Sequence, residues 1–170
     1  LGSNIEIFVC ERDGSGLRQL TYSSGIDTNP AWSPSGREIA FTSSRGTGRP
    51  EIYVMDAEGS NLRRITFAGE YNDGAAWSPD GTRIAYSARQ ANGQFAIGVS
   101  DLVTLDSRLL VVGNGSHESP SFSPDGRRIA FTSTRGGRSQ IHVVGAEGGE
   151  SRALTSQGNN YAPDWSGYPQ

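Results

Sequence analysis

The stretch Trp77-Ser78-Pro79-Asp80-Gly81, followed by Arg83-Ile84-Ala85-Tyr86, decides how this chain folds. It occurs upstream as Trp32-Ser33-Pro34-Ser35-Gly36 with Arg37-Glu38-Ile39-Ala40-Phe41. It occurs downstream as Phe122-Ser123-Pro124-Asp125-Gly126 with Arg128-Ile129-Ala130-Phe131. The interval is 45 residues both times. A period of that length marks a supersecondary unit that stacks on copies of itself. Two more segments recur in each unit. One is Glu51-Ile52-Tyr53-Val54-Met55-Asp56, then a weaker Phe95-Ala96-Ile97-Gly98-Val99, then Gln140-Ile141-His142-Val143-Val144. The other is Leu62–Thr66, Ser107–Leu110 and Ser151–Thr155.

Apolar residues alternate within these segments (Ile39/Phe41, Ile52/Val54), which is the period of a strand and not of a helix. Gly and Pro interrupt every stretch before it reaches helical length. Four short strands in 45 residues is the pattern of a β-propeller blade. The turn chemistry agrees: Pro presets φ, and the Gly accepts the positive φ that ends a type I turn. The spacing predicts this turn between the first and second strands. It predicts the preceding aromatics Trp32, Trp77, Phe122 and Trp165 to be packed between neighbouring blades.

Composition narrows the function. The 170 residues carry 15 basic side chains, all of them Arg, against 18 acidic ones, for a net charge of −3. A basic nucleic-acid face and attachment to an anionic membrane are disfavoured. The 23 Gly and 8 Pro exceed the roughly 12% that these two contribute to average proteins. The single Cys10 excludes an intramolecular disulfide and a Cys-based metal cluster, and reads as a small buried hydrophobe. No apolar run approaches the length of about 18 residues that a membrane helix needs, and no basic-then-apolar leader stands at Leu1. No cofactor and no metal are expected.

The register at the ends gives the organisation. Residues 4–21 match the third and fourth strands of a blade; 22–66, 67–111 and 112–156 are whole blades; 157–170 match one first strand. The expectation is an all-β segment of 15 strands, about 3.75 four-stranded antiparallel blades, over residues 1–170. Such an arc leaves apolar blade faces open. It is either part of a larger propeller or half of a homodimer joined head to tail.

First strands line a propeller's channel, and the loops entering them open on one face. Two sets of residues fall in register there: Asp27/Asn72/His117/Asn160, then Thr28/Asp73/Glu118/Tyr161, with Asn29 following. Carboxylates, amides and an imidazole on one rim suit polar ligand groups. The same residue types also serve as turn formers and strand caps. His117 beside Glu118 suggests a general base, but the chain has no Gly-x-Ser-x-Gly elbow, so no catalytic residue is assigned. Arg45 and Arg135 occupy matching positions and are expected to pair with nearby carboxylates.

The pattern Pro-x-Trp-Ser-Pro-Asp-Gly-x-x-Ile-Ala-Phe, with an Ile-Tyr-Val-Met-Asp strand and a Leu-Thr strand, resembles the WD-like repeat of the TolB family. The ending Ala162-Pro163-Asp164-Trp165-Ser166 is similar to that family's carboxyl terminus. The resemblance implies a non-catalytic scaffold that docks a protein or peptide at the channel mouth, in a periplasmic or secreted protein. Related repeats accompany prolyl oligopeptidase-like and tricorn-like peptidases, so an accessory or gating propeller is an alternative. A purely structural partial propeller is another. The family has six blades and an amino-terminal α/β domain, and this chain departs from both.

Overall fold

A computed structural model describes residues 4–166. Fourteen strands form one two-stranded and three four-stranded sheets, every pairing antiparallel, with no helix among the described residues. The leading pair is β1 (Phe8–Val9) and β2 (Arg18–Gln19). The first blade holds β3 (Asp27–Trp32), β4 (Glu38–Ser43), β5 (Glu51–Asp56) and β6 (Arg63–Arg64). The second holds β7 (Asn72–Trp77), β8 (Arg83–Arg89), β9 (Phe95–Asp101) and β10 (Ser107–Val111). The third holds β11 (His117–Phe122), β12 (Arg128–Ser133), β13 (Gln140–Gly145) and β14 (Arg152–Ala153). Chain order equals sheet order in each blade, which is the meander of a propeller.

The repeated turn forms as its chemistry dictates. Gly36, Gly81 and Gly126 donate to the carbonyls of Ser33, Ser78 and Ser123 at 2.9, 2.9 and 2.8 Å. The serine hydroxyl then accepts the amide that opens the second strand: Glu38, Arg83 and Arg128, at 3.0, 2.9 and 3.0 Å. Ser78 and Ser123 also donate to Asp80 and Asp125, and these bonds hold both carboxyls below the usual carboxylate range.

The apolar core lies between blades. Ile7 and Leu20 meet Ile39, Phe41, Tyr53 and Met55. Across the next seam Ala40, Ile52, Val54 and Ile65 meet Ile84, Tyr86 and Ala88. Across the third, Ala85, Ile97 and Val99 meet Phe122, Ile129 and Phe131. Successive strand residues point to opposite faces, so each sheet feeds two cores. The weak match of the second blade's third-strand sequence has a packing cause. The Tyr86 ring lies over Gly98, where a Cβ would come within 2.6 Å of it.

Three expectations are corrected. Residues 157–166 do not form a fifteenth strand, because no second strand pairs with them among the described residues. They still sit at the first-strand position: Asn160 donates to the Ser139 carbonyl at 2.8 Å, as Asn72 does to Pro50 at 2.9 Å. Residues 167–170 of that expected strand lie outside the described residues. Trp32 is 51% exposed, because β1–β2 offers it no first strand to pack on. Cys10 is exposed, although Met55 at the same repeat position is buried. Phe8 likewise is 52% exposed where Tyr53 is 8%. The cause is the same: β1 has no second strand beside it.

The indole of Trp77 donates to the Ala31 carbonyl of the preceding blade at 3.0 Å, and that of Trp165 to Ser121 at 3.0 Å. Phe122 fills the same position without that bond. Trp77→Phe is therefore expected to cost about 1 kcal/mol in urea unfolding, the net worth of one hydrogen bond. Trp77→Ala removes the packing as well and is expected to cost about 3 kcal/mol.

Candidate functional site: the channel mouth

The rim is built from the first strands β3, β7 and β11, which lie against one another across the seams. Each carries a bulge: pairing shifts register between Thr28 and Ala31, Asp73 and Ala76, and Glu118 and Ser121. The bulge residue is left-handed every time, with φ of 51° at Asn29, 68° at Gly74 and 55° at Ser119. Ala162 keeps that conformation at 52° in the unpaired segment. Pro30 and Pro120 follow the bulge, a place where an edge strand tolerates a missing donor.

Second-strand hydroxyls receive the bulge from the neighbouring blade. Ser87 accepts the Ser119 amide at 3.2 Å, and Thr132 accepts the Ala162 amide at 2.9 Å. At the first seam a carboxylate takes over. Oδ1 of Asp73 accepts from Gly74 N at 2.7 Å, Thr42 Oγ1 at 2.6 Å and Asn29 Nδ2 at 2.7 Å.

The two sets of residues read from the sequence separate here. Asp27, Asn72 and His117 are fully buried and turned into their blades, which corrects their expected place on the rim. Asp27 accepts from Ser23 and Ser43 and pairs with Arg45 at 2.5 Å. Asn72 donates to Glu51 and to the Ala68 carbonyl, both at 2.9 Å. Asn160 donates to Gln140 at 3.2 Å. These bonds close a lock at the head of the third strand. Glu51 holds Arg64, Thr66 and Asn72; Gln140 holds Thr155 and Asn160; Glu6 holds Thr21 and the Ser23 amide. Strand alternation leaves the other set on the channel side: Thr28, Asp73, Glu118 and the exposed Tyr161, beside the exposed Asn29.

His117 is the exception within the lock. Ala96 stands where the other blades have Glu51 or Gln140, and Val111 where they have Thr66 or Thr155. Nδ1 bonds Ser133 at 3.0 Å, while Nε2 has no partner among the described residues. Phe131 meets the ring edge-on, with centroids 5.7 Å apart. Burial, followed by the positive charge of Arg135 and then by His142, lowers its pKa to about 4. Arg135 has no carboxylate partner among the described residues, contrary to expectation, because His117 replaces the Asp27 that Arg45 uses. His117 and Glu118 point to opposite sides of the strand, so they form no catalytic pair.

Between the three blades the rim encloses a cleft of about 490 Å³. Asp73 and Glu118 line it together with Tyr71, Phe95, Ser87 and Ser119. Tyr71 and Phe95 meet edge to face, with centroids 5.7 Å apart at 83°. Burial, then the charge of Asp73, keeps the Tyr71 phenol protonated above its ordinary range. From the sequence, Tyr71 falls in a loop entering a first strand and Phe95 in a third strand, but neither is assigned to the site, and neither are the second-strand hydroxyls. The 45-residue spacing of Thr42, Ser87 and Thr132 was the available signal.

His117 makes stability depend on acid. Its folded pKa lies below the unfolded value, so the unfolded chain binds the proton more tightly. Its contribution is complete above about pH 6.5 and is lost as pH falls towards 4, a change on the order of 3 kcal/mol. Urea unfolding between pH 7 and 4 is expected to show that loss in the parent chain. The loss is expected to be smaller by this amount in His117→Asn, which carries the residue of the neighbouring blade.

A profile described as the TolB beta propeller domain matches residues 2–168. Among solved structures, a putative TolB from Agrobacterium tumefaciens is 27% identical, with a TM-score of 0.78 over 85% of this chain and 52% of that one. TolB from Acinetobacter baumannii is 30% identical, with a TM-score of 0.76 over 89% of this chain and 38% of that one. A chain of a nidogen/laminin complex shares the fold at 16% identity, with a TM-score of 0.68 over 87% of this chain and 56% of that one. The chain thus spans about half or less of the TolB structures it matches. The repeated turn, the inter-blade cores and the bulged first strands are the working parts of one fold, and the chain belongs to the TolB beta propeller domain family.

Proposed function

We propose that this chain is a non-catalytic scaffold that binds an extended segment of a polypeptide partner at its channel mouth. The observation that carries the reading is the cleft of about 490 Å³ shared by three blades, with polar groups and an aromatic pair on a framework fixed by hydrogen bonds. Its size and mixed lining suit a few side chains of a peptide. Membership of the family supports a binding role. The absence of catalysis rests on His117, whose ring is enclosed, and on Glu118, which faces away from it. Export is carried over from the family resemblance.

The test is selection of binders from a displayed random-peptide library against the immobilised chain. Selected peptides are expected to compete with one another. They are expected to lose binding at least about tenfold to Pro30→Trp, which fills the cleft, since about 1.4 kcal/mol is a tenfold change. Val103→Trp, at an exposed site outside the cleft lining, is expected to leave binding unchanged. Peptides indifferent to Pro30→Trp would place binding elsewhere and overturn the reading.

A further inference from the structure

We propose that the channel-mouth cleft receives an arginine side chain of the bound polypeptide, its guanidinium taken by the Tyr71–Phe95 ring pair and the Glu118 carboxylate. The proposal rests on the reading above and names the side chain that the cleft selects.

The protein treats its own arginines in this way. Arg45 lies 5.2 Å from the Phe41 ring centre and 5.5 Å from that of Tyr53, and pairs with Asp27 at 2.5 Å. Arg64 lies 5.1 Å from Phe67 and pairs with Glu51 at 2.7 Å. Arg83 lies 5.7 Å from Phe122 and pairs with Glu147 at 2.6 Å. A planar guanidinium suits both partners at once, stacking on a ring while its edge donates to a carboxylate.

The cleft offers the same two components without the cation. Tyr71 and Phe95 supply the rings, and no arginine lines the space. Glu118 makes no ion pair and accepts no hydrogen bond among the described residues. Oδ1 of Asp73 is engaged by three donors and its Oδ2 accepts from the Tyr71 hydroxyl at 3.4 Å, so Asp73 adds negative charge and Glu118 is the carboxylate without a partner among the described residues. Arg89, whose charge acts on Tyr71, extends beside Gly93 in the following hairpin and does not line the cleft. Two carboxylates facing one space with no lining cation make it complementary to a positive side chain.

The test is an NMR titration of the labelled chain with three probes: acetyl-Gly-Ser-Arg-Ser-Gly-amide, its citrulline counterpart and its glutamate counterpart. Citrulline keeps the shape of arginine and removes the charge. The arginine peptide is expected to shift the amides of Tyr71, Gly74 and Ser119 and to bind at least about tenfold more tightly than the citrulline peptide, the effect of one charge-assisted bond. The glutamate peptide is expected not to bind. Glu118→Gln, at an exposed side chain, is expected to abolish the preference while leaving the remaining spectrum in place. Equal binding of the arginine and citrulline peptides overturns the proposal and leaves channel-mouth peptide binding standing. So does an arginine preference that survives Glu118→Gln. Absence of shifts at those amides with every probe also overturns it, and the library selection then decides the broader reading independently.

Discussion

A polar group at the head of the third strand, buried where three strands meet, is the interaction on which the channel mouth depends. Glu51 is 2% exposed, yet accepts from Arg64, Thr66 and Asn72. A carboxylate enclosed in this way is tolerated because its oxygens are paired. The Thr66 hydroxyl in turn accepts the Ile52 amide at 3.0 Å, and Thr21 and Thr155 do the same for Ile7 and Ile141 at 2.9 Å each. By drawing Asn72 inward, the lock fixes the phase of the first strand. The next residue, Asp73, must then face the channel. The chemistry of the mouth therefore follows from a buried interaction that no ligand would touch.

The bulge completes this arrangement. A left-handed residue is costly for any side chain but glycine, yet Asn29, Ser119 and Ala162 adopt it. The gain is that the bulge amide turns towards the neighbouring blade, where Ser87 and Thr132 accept it. The same bond that satisfies the amide sets one blade against the next. The cleft thus lies on hydrogen-bonded strands, which favours a defined ligand geometry over an adaptable loop surface.

The blades were legible because turn chemistry and period-two alternation are local. Ser78-Pro79-Asp80-Gly81 states its turn without reference to the rest of the molecule. The register of the rim was legible too: Asp27, Asn72, His117 and Asn160 were aligned from spacing alone. Which side of the strand each faced was not, because polar residues were read as exposed. The lock reverses that rule, and its partners lie 21 residues from Asn72 at Glu51 and 20 from Asn160 at Gln140. Exposure at Trp32 and Cys10 depends on whether a neighbouring strand is present, which a repeat position does not encode. Tyr71 precedes one first strand and Phe95 opens one third strand, 24 residues apart, and only the fold brings the two rings together.

The lock also gives assembly a direction. Glu51 and Thr66 belong to one blade, while Asn72 belongs to the next. During synthesis a blade has all four of its strands before the residue that completes its lock has been made. Until Asn72 follows, the Glu51 carboxylate lacks one of its three partners, and a buried group left short of a bond is costly. Each blade is thus finished by its successor, so order spreads along the chain one seam at a time from the amino-terminal side. At the seam where Ala96 and Val111 replace the polar pair, that hand-over depends on apolar contact and on the fit of the His117 ring.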